Sequence, residues 1–198
     1  MTPAVVLAAG ASTRMGRPKA LLEAGDRTFI RTILDALRDG GISEAVVVVR
    51  PGQPMVIQAV EAFGFGRAVV NPAADEGQLS SLVAGLNAID RPGVDAMLVT
   101  LVDVPLIGAA AIRVLLSRAA ASEAPILRAV HGGAHGHPVI FKRRLFDALR
   151  SADPAVGAKA VVRAAGVEDV EVDDAGVVED VDTPADYARL FGKPVPGC

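Results

Sequence analysis

The sequence predicts a single α/β domain, built on a mostly parallel sheet with helices on both faces. Three observations carry this. Short apolar, β-branched runs at 4–7, 45–49, 68–70 and 96–102 have the length of buried strands and no polar alternation. Between them lie stretches of helical apolar spacing, so strand and helix alternate through the first two thirds of the chain. At 198 residues, 51% apolar and 22% charged, the chain can close one sizeable core and is too apolar to be disordered. Right-handed crossovers between such strands give a Rossmann-like three-layer sandwich.

The elements follow in order. After the strand at 4–7, residues 7–19 have no apolar period and read as a loop. Leu21, Leu22 and the Gly25-Asp26 turn lead to Thr28, an N-cap for a helix carrying Phe29, Ile30, Ile33, Leu34 and Leu37. Gly40-Gly41 ends that helix. The second strand, 45–49, is broken by Pro51-Gly52, and Val56, Ile57, Val60 and Phe63 mark a helix stopped at Gly64. The strand at 68–70 gives way to a polar, turn-rich stretch at 71–79, after which Ser80 or Ser81 caps a helix with Leu82, Val83, Leu86 and Ile89. Pro92-Gly93 turns the chain into the strand at 96–102, which ends in Asp103, and a helix follows at 109–120. The last third is less regular. Strands at 125–130 and 138–141 flank a Gly-rich loop at 131–136, then come short helices at 144–149 and 158–165, a strand at 167–172 and a helix at 183–191. This part is expected to add a strand pair running the other way. The reading is one domain over 1–192 and a loose tail over 193–198.

Net charge −3 and a pI near 5.6 argue against a nucleic-acid binder with a general basic surface. Aromatics are 4% and tryptophan is absent, so base-stacking platforms are not expected. A lone cysteine, Cys198, excludes an internal disulfide and argues against a thiolate metal site. No signal segment and no run near the ~18 apolar residues of a membrane helix is found, so the expectation is a soluble cytoplasmic protein without a membrane partner.

The chemistry starts in the loop Leu7-Ala8-Ala9-Gly10-Ala11-Ser12-Thr13-Arg14-Met15-Gly16-Arg17-Pro18-Lys19. Small residues leaving a buried strand expose backbone N–H groups, and three cations lie close together, which suits a polyphosphate. The Walker spacing does not fit, because five residues separate Gly10 from Gly16 and Lys19 has Ala20 behind it. G-x-G-x-x-G is absent as well. The pattern Leu-Ala-Ala-Gly-x-Ser-x-Arg-Met-Gly-x-x-Lys resembles the signature loop of MobA-like NTP transferases, which have the nucleotide-diphospho-sugar transferase fold. Within them it is most similar to the molybdenum cofactor cytidylyltransferase branch. Guanylyltransferase relatives carry Leu-Ala-Gly-Gly there, and this chain has Ala9 at the third position.

Ligands of an open parallel sheet sit past the carboxyl ends of its strands, so this loop, residues 71–81 and Asp103 should converge on one rim. Asp103 ends an apolar strand and is either a cap for the next helix or a Mg2+ ligand; one or two carboxylates plus phosphate oxygens suit that ion. The Asp-x-Pro unit resembles the family's metal-binding aspartate. In Glu179-Asp180-Val181-Asp182-Thr183-Pro184, Asp180 and Asp182 fall on one side of an extended segment, and Asp182 or Thr183 can also serve only as an N-cap. The resemblance to an Asp/Asn-x-Asp/Asn-Thr-Pro segment favours metal binding, with Asp182 slightly preferred over Asp180. Glu76-Gly77-Gln78-Leu79-Ser80-Ser81 offers hydroxyls and backbone donors at a helix start. Its likeness to a Gly-x-x-Ser-Ser segment nominates Gln78 and Ser81 for the base, opposite backbone groups of Leu7, Ala8, Ala9 and Gly10.

His131, His135 and His137 invite a zinc reading, which the lack of a neighbouring cysteine or glutamate disfavours. A flexible loop over the acceptor site is the better reading, and Gly136-His137-Pro138 resembles the branch's Gly-His-Pro element, which implies an acceptor contact for His137. Lys159 lies in Gly-Ala-Lys where relatives have Gly-Asp-Lys, so it is either functional or a solvated lysine. The resemblance implies CMP transfer from CTP to the phosphate of molybdopterin with Mg2+, releasing pyrophosphate. Arg14, Lys19 and Asp103 would carry catalysis, by positioning and charge neutralisation. A transferase for another phosphorylated small molecule, a sugar phosphate or methylerythritol phosphate, is the nearest alternative. A non-catalytic nucleotide-binding or chaperone-like partner of a molybdoenzyme is the third.

Overall fold

The computed structural model describes residues 1–195. In chain order, β1 (Ala4–Leu7) leads through the loop to a two-residue ribbon, β2 (Glu23–Ala24) with β3 (Arg27–Thr28). Then come α1 (Phe29–Asp39), β4 (Ala45–Val49), α2 (Pro54–Glu61), β5 (Gly66–Val70), α3 (Gln78–Ile89), β6 (Ala96–Leu101) and α4 (Ala109–Ala121). The last third holds β7 (Ile126–His131), β8 (Ala134–Lys142), α5 (Phe146–Arg150), α6 (Lys159–Ala165), β9 (Glu168–Glu171) and α7 (Pro184–Phe191). The main sheet runs β5-β4-β1-β6-β8-β7-β9. Only β8 is antiparallel to its neighbours, so the sheet is mostly parallel, as the alternation predicts.

Side-chain alternation sorts the two faces. Ala4 and Val6 of β1 join a core with Ile30, Ile33 and Leu34 of α1 and Ile112 and Leu115 of α4. Val5 and Leu7 point the other way, into a core with Leu82 and Leu86 of α3 and Phe146 and Leu149 of α5. Both faces are covered at the centre of the sheet, which is why β1 and β4 are apolar throughout. Helix α3 lies close on β1: a Cβ on Gly85 would stand 2.3 Å from Val5 Cγ1, so only glycine permits that approach. A third, smaller core of Met15, Leu22, Phe29, Val181, Tyr187 and Val195 sits beside the loop after β1.

The chain adds β4 and β5 on one side of β1, then crosses back to add β6 on the other. That reversal opens a crevice past the carboxyl ends of β1 and β6.

Three expectations are corrected. The loop at 131–136 is a hairpin: β7 and β8 pair across Gly132-Gly133, both with positive φ of 56° and 79°, the geometry of a tight two-residue turn. His135 and His137 therefore stand on a strand, not on a flexible loop. Helix α3 begins at Gln78, so neither Ser80 nor Ser81 is its N-cap. Ser80 donates instead to the carbonyls of Ala73 and Gly77, and Asn71 Nδ2 donates to both serine hydroxyls. Finally, the stretch from Lys193 to Val195 is not loose. Val195 is buried in the third core and Lys193 pairs with Glu23 at 3.0 Å. Residues 196–198, the rest of the expected tail with Cys198, lie outside the described residues.

Candidate active site

The loop after β1 folds into two short 3-10 turns, Thr13–Met15 and Lys19–Leu21. Ser12 takes a left-handed conformation, φ 51°, which a small polar residue tolerates, and its hydroxyl accepts from the Lys19 N–H at 3.3 Å. Met15 is buried, so Arg14 and Gly16 on either side stay at the surface. The geometry turns Lys19 inward, and its side chain is only 10% exposed.

Two carboxylates meet it. Lys19 Nζ lies 2.6 Å from Asp182 Oδ1 and 3.1 Å from Asp103 Oδ2. Arg14 reaches Asp182 Oδ2 at 3.3 Å. Asp103 follows β6, and its carbonyl accepts from the Val181 N–H at 2.8 Å, which brings the segment before α7 alongside the strand end. Thr183, not Asp182, caps α7: it accepts from Asp186 N while Asp186 returns the bond, a full capping box behind Pro184. Asp182 is thereby left to face Lys19. The Lys19 ammonium hydrogen-bonded to it, and secondarily the Lys19 and Arg14 charges, hold the Asp182 carboxyl below its usual range despite partial burial.

These groups line a crevice of about 480 Å³. The structure brings Leu7, Ala9, Gly10, Arg14, Lys19, Gln78, Ser81, Asp103 and Asp182 to that one space, from four segments of the chain. Ala8 is not on its wall. Its side chain packs in the core under α1, and its N–H is spent on the Val48 carbonyl at 2.8 Å. Of the two alanines, Ala9 faces the crevice. A second cavity of about 500 Å³ shares Leu7, Gln78 and Leu101 with the first and is walled by apolar residues together with His135, His137 and Lys159. A smaller recess of about 300 Å³ holds Asp103, Asp180, Asp182 and His137. His131 is elsewhere, with Nδ1 2.9 Å from the Val172 carbonyl.

A divalent cation fits the donors present. Asp103 Oδ1 is buried with no hydrogen-bond partner, an unspent carboxylate lone pair beside Asp182. Among the described residues no three His, Cys, Asp or Glu side chains form a closed metal site. That suits a hard ion completed by phosphate oxygens and water rather than a dedicated protein cage.

One wall residue and one buried residue behind the wall escaped sequence reasoning. Arg50 follows β4, lines the crevice and pairs with Asp75 at 2.7 Å. The rule that placed Asp103 past its strand would have placed Arg50 too. Asn71 follows β5, is buried, and fastens the stretch ahead of α3 through Ser80, Ser81 and the Ala73 N–H. A buried amide in a polar turn leaves no periodic signal.

Relatives share the fold. A probable molybdenum cofactor guanylyltransferase of Opitutus terrae is 36% identical over 105 residues, 53% of this chain. The match spans about half, 49%, of that curated relative's length. The crystal structure of Rv0371c from Mycobacterium tuberculosis H37Rv superposes with a TM-score of 0.83 at 28% identity, covering 98% of this chain and 99% of that one. The same protein complexed with manganese gives 0.79 at 29%, covering 97% and 98%. The profile of the MobA-like NTP transferase domain matches residues 4–171, a span that takes in both the cation-bearing loop and Asp103, and the chain belongs to that family.

Proposed function

We propose that this protein transfers CMP from CTP to the phosphate of molybdopterin and releases pyrophosphate. The observation that carries the reading is the Lys19 ammonium, held between Asp103 and Asp182 in a crevice floored by the loop after β1. The triphosphate lies along that loop, with backbone donors and Arg14 around its oxygens. Lys19 exchanges its carboxylate partners for phosphate oxygens. The base is read by Gln78, Ser81 and the backbone around Ala9, and the alanine at that position favours CTP. The acceptor occupies the adjoining cavity, with its phosphate toward the recess that joins the two spaces.

An acceptor phosphate oxygen attacks the α-phosphorus in line. The bond from that phosphorus to the bridging oxygen breaks, and pyrophosphate leaves. No side-chain nucleophile is required; Lys19 and Arg14 offset the negative charge that shifts onto the leaving group. Asp103 and Asp182 would hold Mg2+, with Asp180 on the wall of the same recess. That ion, when bound, supplies charge neutralisation and a template for the phosphates. The manganese complex of the Mycobacterium tuberculosis relative supports divalent-cation use. His137 lies on the acceptor side.

One observation favours a second donor, GTP: the Opitutus terrae relative is described as a guanylyltransferase. Pyrophosphate release from each of the four nucleoside triphosphates, with Mg2+ and molybdopterin, tests both. CTP-dependent release is expected. GTP-only release would move the reading to the guanylyl donor, and release from none would sink it.

A further inference from the structure

Two buried side-chain atoms with lone pairs and no partner belong to residues lining the same small recess. One is Asp103 Oδ1 and the other is His137 Nδ1. Each is buried without a hydrogen-bond partner, and a buried polar group left unsatisfied is costly unless a ligand supplies the missing contact. The other Asp103 oxygen is already occupied by Lys19. Asp180, Asp182 and His135 line the recess as well, so its walls carry three carboxylates and two imidazoles, of which only His137 has a buried nitrogen without a partner.

The His137 imidazole is prepared for a cation. The ring lies against the backbone of Val99, and its Nδ1 is left without a hydrogen-bond partner. Metal-bound histidines are characteristically oriented in this way by a backbone partner on the other nitrogen. The position is rigid. A Cβ on Gly136 would stand 2.1 Å from the Val177 carbonyl oxygen, so β8 is pressed against the 3-10 turn Ala175–Val178 one residue before the histidine.

We propose that His137 Nδ1 and Asp103 Oδ1 bind a divalent transition cation in this recess, at a position separate from the Lys19 ammonium. Substrate phosphate oxygens and water complete its shell. A nitrogen donor among carboxylates shifts preference away from Mg2+, an oxygen-seeking ion, toward first-row transition cations, of which Mn2+ tolerates the carboxylates and is a paramagnetic probe. Any part this ion would play in phosphate chemistry rests on the nucleotidyl-transfer reading; the binding itself does not.

Mn2+ alone, added to metal-stripped full-length protein, is the probe. Pulsed electron paramagnetic resonance should show nitrogen-14 modulation from a directly bound imidazole, and titration should show Mn2+ bound at least ~10-fold more tightly than Mg2+. His137→Gln should abolish the nitrogen signal and remove that preference. Asp103→Asn should weaken Mn2+ by a similar factor. His135→Gln, which alters an exposed histidine on the same recess paired with Asp169, should change neither. Thermal melts show whether each variant is folded, and the wild-type spectrum decides the matter even if His137→Gln is not. Oxygen-only coordination in the wild type, a nitrogen signal that survives His137→Gln, or one lost in His135→Gln would each overturn the proposal. If nitrogen coordination is found while no nucleoside triphosphate yields pyrophosphate, the proposed function fails and this site stands.

Discussion

Replacing Lys19 by methionine keeps the length and most of the volume of the side chain and removes its charge. In the crevice the two carboxylates then lose their shared partner. Asp182 keeps Arg14 at 3.3 Å and is 40% exposed, so water screens much of the repulsion. Asp103 is more enclosed, 24% exposed, with one oxygen already unpartnered. The expected loss of stability is therefore about 1–2 kcal/mol, below the ~3–5 of a fully buried broken pair. For a domain of this size that lowers the melting temperature by roughly 2–8 °C. Turnover should fall much further. A preorganised charge aimed at the reacting phosphates contributes about 3–4 kcal/mol, or ~100-fold or more in rate. Pyrophosphate release at saturating CTP and Mg2+, with melts run in parallel, measures both. The double variant Lys19→Met/Asp182→Asn should recover part of the stability and none of the rate. A single variant that melts as expected yet turns over within ~10-fold of wild type would refute the role given to the ammonium.

Asp103→Ala should also lose ~100-fold or more in pyrophosphate release while circular dichroism stays native, because its contribution is to the bound phosphates. Gly85→Ala should cost about 1–3 kcal/mol in urea unfolding, since its new methyl must displace Val5 and lift α3 from β1. Asp90 has its carboxyl held below the usual range, first by the Arg150 hydrogen bond and then by the Arg143 and Arg150 charges, against partial burial. A depressed folded pKa stabilises above the unfolded value near 4 and is lost as pH falls through the folded one, so Asp90→Asn should be less stable than wild type at pH 7 and the gap should close below about pH 4.

The parts of this molecule that were readable in advance are those governed by local rules. β1 and β4 are continuous apolar runs and β6 is broken only by Thr100, the pattern of strands buried on both faces. Lys19 and Asp103 were sent to one rim by topology, while Asp182 was favoured over a plain helix cap only by the likeness of its Asp-Thr-Pro segment to the family's. The hairpin was hidden for a physical reason. His135, Gly136 and His137 have weak strand preference, and what carries them into a strand is the pairing that brackets them, His135 with Val130 on one side and Val139 with Arg128 and Val99 on the other, a tertiary effect that overrides propensity. The serines misled because a hydroxyl near a helix start can cap it or fasten a neighbouring loop, and only the position of Asn71 decides between these.

The third core was invisible for the same reason, and it explains how remote charges come to sit within hydrogen-bond distance. Met15 adjoins Arg14, and Val181 adjoins Asp182; both apolar neighbours are fully buried in one cluster with Leu22, Phe29, Tyr187 and Val195. The Tyr187 ring lies against Phe29 and Phe191, and its hydroxyl donates to the Glu23 carbonyl at 2.8 Å, tying α7 to the ribbon that follows the loop. The loop bearing Arg14 and Lys19 and the segment bearing Asp182 are thus anchored to a common apolar base, while their polar ends project into the crevice. Neither segment could position its charges alone. A 3-10 turn of three residues has too few internal bonds to hold a shape, and an extended segment has none. Placement of the charges is therefore a consequence of packing: the apolar neighbour of each functional residue is buried, and the functional residue follows.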